Sequence, residues 1–473
     1  MKSKLLKFTE FANSLYPHET DYLLSVQTFE KSENLKILNL INYNSKNPQI
    51  IIPYDVTIDK RKYNYVKNWI NKNLTSIDVD EFYNWLISKE KLVMTDAVSP
   101  VEEKDILSKA NKIKASHYYF IRFYELMQKY RDYLLIRMRM QYYQPVSDYL
   151  EKHEKSYKIS YEINENLNQA TIDIIKQHNE INTETRKWEE VLTDTFYDIT
   201  IDGYTRYRAV VRLTFLYYNY REFEKLREIY KQLDILLKTE VFYSKRILAN
   251  YYANISMMHS KLNELDEAEK YGYLAIRQKN SDFLFYLLNL CGVLLRANKS
   301  EQAYCLMTDA IPELKNTASF YYKIGFVSFY IKTLSANSKN EKAADYAKSF
   351  LDVYKKEVFK HRWHIFFSAY MQALFKIEDY KRILSLTKKH NLVIREKQFI
   401  AEAKYMPIIL WYNLVSEFME NEISEQSLIE SIVESGKELI KHQYKSRKIK
   451  ELIDEISPTL PQLFKTILLK LKI

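Results

Sequence analysis

Glu357, His361 and His364 stand four and three residues apart, which places three potential metal ligands on roughly one face of a helix. A metal centre needs deprotonated ligands and a supporting shell, and a structural zinc takes four of them. No fourth ligand accompanies the run His361-Arg362-Trp363-His364, so this face reads as surface and packing. His18-Glu19 lacks the second histidine that a zinc-protease helix requires. Cys291 and Cys305 are too few for a disulfide framework or a cysteine-built zinc site. Neither has a histidine close in sequence, and a pairing through space stays open. The adjacent carboxylates Glu102-Glu103 and Glu189-Glu190 are of a kind common on exposed helix faces and predict no acid–base role by themselves. The stretch Arg137-Met138-Arg139-Met140-Gln141-Tyr142-Tyr143 mixes guanidinium groups with rings, a mixture that can stack on bases. Residues 101–200, however, hold 15 basic and 17 acidic side chains, a net −2 that opposes a phosphate footprint. Packing with local ion pairs is the expectation there. Gly203 is the first glycine, so no glycine-rich phosphate cradle exists before it, and neither G-x-G-x-x-G nor G-x-x-x-x-G-K-[ST] occurs anywhere. With no catalytic constellation in view, the chain is expected not to be an enzyme and to need no cofactor or metal.

The elements that carry these residues must be helices. Five Gly and nine Pro in 473 residues fall well below the usual shares of about 7% and 5%. Sheet folds need many tight turns, and tight turns lean on both residues. Apolar residues make up 47%, enough to bury a sizeable core and too many for disorder. The expected class is all-α. The longest stretches free of charged residues, Phe283–Leu295 and Tyr405–Ser416, run 13 and 12 residues, short of the roughly 18 that span a bilayer. The N-terminus carries Glu10 and no small-residue cleavage site, and cysteines are scarce; a cytoplasmic protein without membrane contact is expected.

Local signals divide the chain into four regions. Residues 1–98 read as a mostly helical N-terminal region, with a helix at 60–73 capped by Thr57 or Asp59, another at 80–89 capped by Ser76 or Asp78, and a short extended piece at Gln49–Pro53. Ser99-Pro100-Val101-Glu102 is the clearest helix start: Ser caps, Pro fills the first turn, and Glu three residues on can complete a capping box. Residues 99–200 read as long helices broken near Pro145, with Ile113, Phe120, Tyr124, Met127 and Leu134 forming an apolar stripe. Repeats follow at 201–395, and helices that cap the array at 396–473.

In the third region a two-helix unit recurs. Five copies align on Leu226, Ala268, Ala303, Ala343 and Ile383, at intervals of 42, 35, 40 and 40 residues. Sixteen, thirteen and nine residues before each anchor, fourteen of fifteen positions are apolar, His259 being the exception. Offsets of three and four put them on one face of the first helix. Tyr252 to Ala275 is the clearest copy, and Leu290, Cys291, Ala303 and Ala310 mark the next. This pattern resembles the tetratricopeptide-repeat superfamily over about 190 residues. The resemblance implies a right-handed α-solenoid in which small anchors let paired helices approach. Cys291 then falls at a helix contact, as a buried inert thiol. Asn263 and Asn298 stand where that family often has Gly, and Asn tolerates a left-handed turn. Intervals longer than the family's usual 34, and Leu226 and Ile383 in place of Ala, are departures.

The resemblance also implies a concave inner surface that holds a partner. Family groove positions lie 18, 15, 11, 8 and 7 residues before the anchor. Here they include Arg208, Lys261, Arg296, Lys332 and Lys376, with Asn219, Asn250 and Gln372. Phe215, Tyr218, Phe285 and Phe375 add rings, and no Asp or Glu occurs among them. Residues 201–400 hold 33 basic and 21 acidic residues, +12 of a chain total of +10. The expectation is a scaffold or adaptor binding an acidic or carboxylate-bearing protein segment in a basic groove. The alternative is a peptide-responsive or nucleic-acid-associated regulator using the N-terminal region as its binding module. The charge of +1 over residues 1–100, from 13 basic and 12 acidic residues, argues against that second reading.

Overall fold

The computed structural model describes residues 5–48, 50–179, 184–239, 241–398, 405–441 and 443–472. All regular structure among them is helical. In chain order the first helices are α1 (Leu6–Asn13), α2 (Pro17–Val26), α3 (Ser32–Lys46), α4 (Lys60–Ile77), α5 (Val79–Met94), α6 (Pro100–Ala110) and α7 (Phe120–Ile136). Then come α8 (Met140–Asn179), α9 (Trp188–Tyr197), α10 (Gly203–Tyr220), α11 (Phe223–Leu237), α12 (Lys245–Lys261) and α13 (Leu265–Ala275). The later helices are α14 (Phe283–Arg296), α15 (Ser300–Asp309), α16 (Ile311–Asn316), α17 (Phe320–Ala336), α18 (Asn340–His361) and α19 (Trp363–Lys376). The last are α20 (Tyr380–His390), α21 (Leu392–Lys397), α22 (Ile408–Met419), α23 (Glu425–Lys437), α24 (Gln443–Ile456) and α25 (Pro461–Leu471). The chain forms two compact units, one from residues up to 178 with 184–264 and 273–280, the other from Asn179, 265–272 and 281 onward.

In the first unit the sequence signals for helix starts work as expected. Asp59 caps α4 by accepting from the Arg61 N–H at 2.9 Å, and Asp78 caps α5 through the Asp80 N–H at 2.9 Å. Ser99 caps α6, but Glu102 does not close the box; its carboxylate pairs instead with Lys89. Pro145 breaks nothing. It sits in the second turn of α8, and the break falls earlier, where Met138 takes φ 52° and the Arg139 N–H reaches back to the Leu134 carbonyl at 2.9 Å. Gln49 lies outside the described residues. Ile50–Pro53 is irregular, with Ile52 clamped by the Asn44 carboxamide, which accepts from its N–H and donates to its carbonyl, both at 2.9 Å. The stripe Ile113, Phe120, Tyr124, Met127 and Leu134 is buried throughout.

The five anchors share one backbone feature. Arg221, Asn263, Asn298, Ser338 and Glu378 each stand five residues before an anchor, and their φ angles are 60, 67, 59, 58 and 57°. The next residue in every copy donates its N–H to the carbonyl five positions back: Glu222 to Tyr217, Glu264 to His259, Lys299 to Leu294, Lys339 to Leu334 and Asp379 to Leu374, at 2.8–3.1 Å. This six-to-one bond with a left-handed residue inside it is the Schellman closure of a helix end. All five anchors are fully buried. Within the second unit α14 packs on α15 and α17, α17 on α18 and α19, and α19 on α20 and α22. In this unit α14 and α17 therefore each touch their own second helix and the first helix of the following copy.

Candidate functional site

The inner-face residues fall into three settings. On α10 they lie against the 40-residue α8. Arg208 donates to the side-chain carbonyls of Asn164 and of Asn168, the latter at 2.7 Å. Asn219 donates to the Ile174 carbonyl at 3.1 Å. Between them Arg212 donates to the Leu167 carbonyl at 2.8 Å, and burial beside Arg208 pulls its pKa down to about 10. Tyr218 has a buried hydroxyl without a partner, and desolvation pushes its pKa up. Of the inner-face residues on this helix Phe215 stays open, at 49% exposure. The first copy's polar groups thus engage α8, which the spacing of the repeats gave no sign of.

On α12, Asn250 accepts from the Tyr207 hydroxyl at 3.0 Å and from Asn254 at 3.0 Å, while Lys261 is exposed at the helix end. In the second unit Arg296 is half-buried at the end of α14, and Phe285 is 41% exposed. Lys376 is exposed and has no ion pair among the described residues. Phe375 differs from expectation: it is buried in the core, its ring 5.6 Å from Tyr380 and 5.3 Å from Tyr412, so it offers no anchor to a partner.

Lys332 on α17 and Gln372 on α19 hold the same register position in adjoining helices. Lys332 is half-buried and makes no ion pair or hydrogen bond among the described residues. Desolvation lowers its pKa; Glu455 of α24 opposes that shift and Lys448 adds to it. The Glu455 carboxylate accepts from the fully buried Tyr412 hydroxyl of α22 at 2.5 Å. The Gln372 side-chain carbonyl and the Ser335 hydroxyl are buried without partners. Such atoms cost free energy as they stand and become favourable contacts once a ligand group or water reaches them. Lys332 thus lies within reach of the charge of Glu455, which Tyr412 holds, and Gln372 occupies the same register position on the neighbouring helix.

The other candidates resolve into structure. His361 pairs with Glu357 at 3.4 Å, but His364 turns to Glu396 at 2.8 Å, so the two histidines do not converge. Glu396 is 1% exposed and also accepts from the N–H groups of Ile409 and Leu410, tying the start of α22 to α21. No group of three or more potential metal ligands gathers among the described residues. Cys291 is buried with its thiol 3.9 Å from the Ala303 carbonyl, and desolvation pushes its pKa up to about 12, which leaves it a poor nucleophile. Arg137 pairs with Asp96 at 2.6 Å and Arg139 with the buried Glu103 at 2.7 Å.

One polar cluster was not legible as such in the sequence. His18 bridges the Tyr252 hydroxyl at 2.6 Å and the Asp234 carboxylate at 2.8 Å, and Glu19 accepts from the Tyr243 hydroxyl at 2.6 Å. These residues join α2 to α11 and α12 across more than 200 positions. The sequence singled out His18-Glu19 only as an incomplete zinc-protease motif. No family model matches the chain, and no curated protein or solved structure matches it.

Proposed function

We propose that the chain is a helical-repeat scaffold, a right-handed solenoid of tetratricopeptide-like pairs, that holds an acidic or carboxylate-bearing segment of a partner protein on the inner face of its repeats. The observation that carries this reading is the Lys332 site. A desolvated ammonium is costly unless a negative charge comes near. Glu455 acts on it through its charge alone, without an ion pair, and its carboxylate is held by Tyr412 instead. That leaves the Lys332 ammonium to be matched by a carboxylate from a partner. Within the same unit Lys376 adds a second cation at an inner position, and Phe285 is exposed as an apolar contact. Such a mixture of rings and cations suits recognition and needs no catalytic group.

The test begins with capture of the partner from native cells and its identification by mass spectrometry. The purified partner is then titrated against the wild-type chain and against Lys261→Glu, Arg296→Glu and the double variant. The double reversal should weaken binding by about 1–3 kcal/mol and flatten its salt dependence, with the helical signal unchanged. Affinity and salt slope that survive the double reversal would place binding elsewhere.

A further inference from the structure

Between the α2–α3 loop and the first turns of α3 and α4 lies a cavity of about 620 Å³. That is within the range of roughly 300–1,000 Å³ typical of small-molecule sites. One wall is aromatic. Phe29 and Trp69 stand with ring centroids 4.6 Å apart, and Tyr65, 55% exposed, lies 6.1 Å from Phe29. Deeper in, Asn34 is 5% exposed, and its carboxamide oxygen is buried without a hydrogen-bond partner. A buried carboxamide with nothing to bond is costly, which marks a place where a ligand's polar edge is missing.

The mouth of the cavity carries the cations Lys31 and Arg61 together with the acid Glu30. α3 starts at Ser32 with no side-chain cap, so the N–H groups of Ser32 and Glu33 have no side-chain acceptor among the described residues, while that of Asn34 bonds the Lys31 carbonyl at 3.1 Å. Lys31 precedes it, Arg61 faces it from the first turn of α4, and neither makes an ion pair among the described residues. Asp59 uses one carboxylate oxygen to cap α4 and has a second oxygen that can accept from a hydroxyl.

We propose that this cavity binds a nucleotide: the base lies on the Phe29–Trp69–Tyr65 wall with its edge on Asn34, and the phosphate lies on the α3 N-terminus between Lys31 and Arg61. Each part follows from a separate feature. Base–aromatic stacking tolerates any base, and a carboxamide offers one donor and one acceptor, the pattern that pairs with an adenine edge. Unpaired cations at an uncapped helix start take phosphate. Asp59 stands where ribose hydroxyls need an acceptor. The same chemistry is presented by a free nucleotide and by the 5′ end of a single strand. This site is independent of the partner-binding face and stands or falls separately.

The experiment is isothermal titration of the full chain with adenosine 5′-monophosphate, adenosine, and a 5′-phosphorylated oligoadenylate. Expected is binding of the monophosphate with Kd between about 10 μM and 1 mM, at least tenfold weaker for adenosine. Lys31→Ala/Arg61→Ala should weaken it about tenfold with an unchanged melt, because both residues are exposed. Asn34→Ala should also weaken binding while leaving stability unchanged or raised, whereas a purely structural Asn34 would lower it. Binding of the oligonucleotide alone would assign the site to strand ends. No heat with any of the three ligands, or binding indifferent to all these substitutions, would overturn the proposal.

Discussion

Glu378 gives the sharpest test of the repeat register. It is exposed, makes no ion pair among the described residues, and holds φ 57° at the turn between α19 and α20. An L-residue in the left-handed region costs about 1–2 kcal/mol, because its Cβ crowds the following carbonyl. Glycine removes that term and adds back about 0.5–1 kcal/mol of unfolded-chain entropy. Glu378→Gly should therefore stabilise by about 0.5–1 kcal/mol. For a cooperative unit of roughly 200 residues that is a rise in Tm of about 1–4 °C. Glu378→Ala is the control, since Ala carries the same Cβ and should be nearly neutral. Asn298→Gly is a second control with a smaller gain, because Asn already tolerates this conformation. Denaturant unfolding followed by circular dichroism reads all three. A glycine variant no more stable than the alanine variant would mean that the left-handed turn, and with it the alignment of the five copies, is wrong.

Ala303, fully buried where α15 meets α14 and α17, should lose about 1–3 kcal/mol on replacement by Leu, measured by the same unfolding curve. Gly203→Ala should cost a similar amount, because its new Cβ would stand 2.9 Å from the Tyr118 ring and 3.1 Å from the Tyr118 Cα, and backbone gives way poorly. Asp202 caps α10 through the Thr205 N–H at 2.9 Å, yet burial raises its pKa to about 6. A carboxyl with a raised folded pKa stabilises the fold when protonated and loses that contribution as pH rises from about 4 to 6. Asp202→Asn keeps the cap without the charge, so it should gain about 1–3 kcal/mol at pH 7.5, and the gain should vanish below about pH 4. Chelator and reductant should leave the melt unchanged, since no metal-ligand cluster occurs among the described residues and both cysteines are free thiols.

Much of the helical architecture was written in short-range pattern. The Gly and Pro shortage, the capping signals at Asp59, Asp78 and Ser99, and the buried anchors all act within a few residues. Asn263 and Asn298 announced their left-handed turns, because Asn bonds locally in that conformation. Arg221, Ser338 and Glu378 did not, since the six-to-one hydrogen bond sets their φ whatever the side chain is. Pro145 misled because α8 runs through it, while Met138 ends the previous helix. The inner face was harder to read. α8 reaches Arg208 across 44 residues in one contact, and Glu455 reaches Tyr412 across 43. Nothing in a repeat alignment encodes which outside helix lies on a repeat. The N-terminal cluster at His18 depends on contacts 216 and 234 residues away, which no local pattern reports.

Partner affinity at Lys332 tests the binding face most directly. The captured partner is titrated against the wild-type chain, Lys332→Met and Glu455→Gln, at about 50 and 300 mM salt. If carboxylates are the recognised group, Lys332→Met weakens binding by about tenfold and reduces the salt slope. Glu455→Gln removes the chain's own carboxylate from the site and tightens binding severalfold. Equal affinities for all three proteins at both salt concentrations would contradict carboxylate recognition on this face.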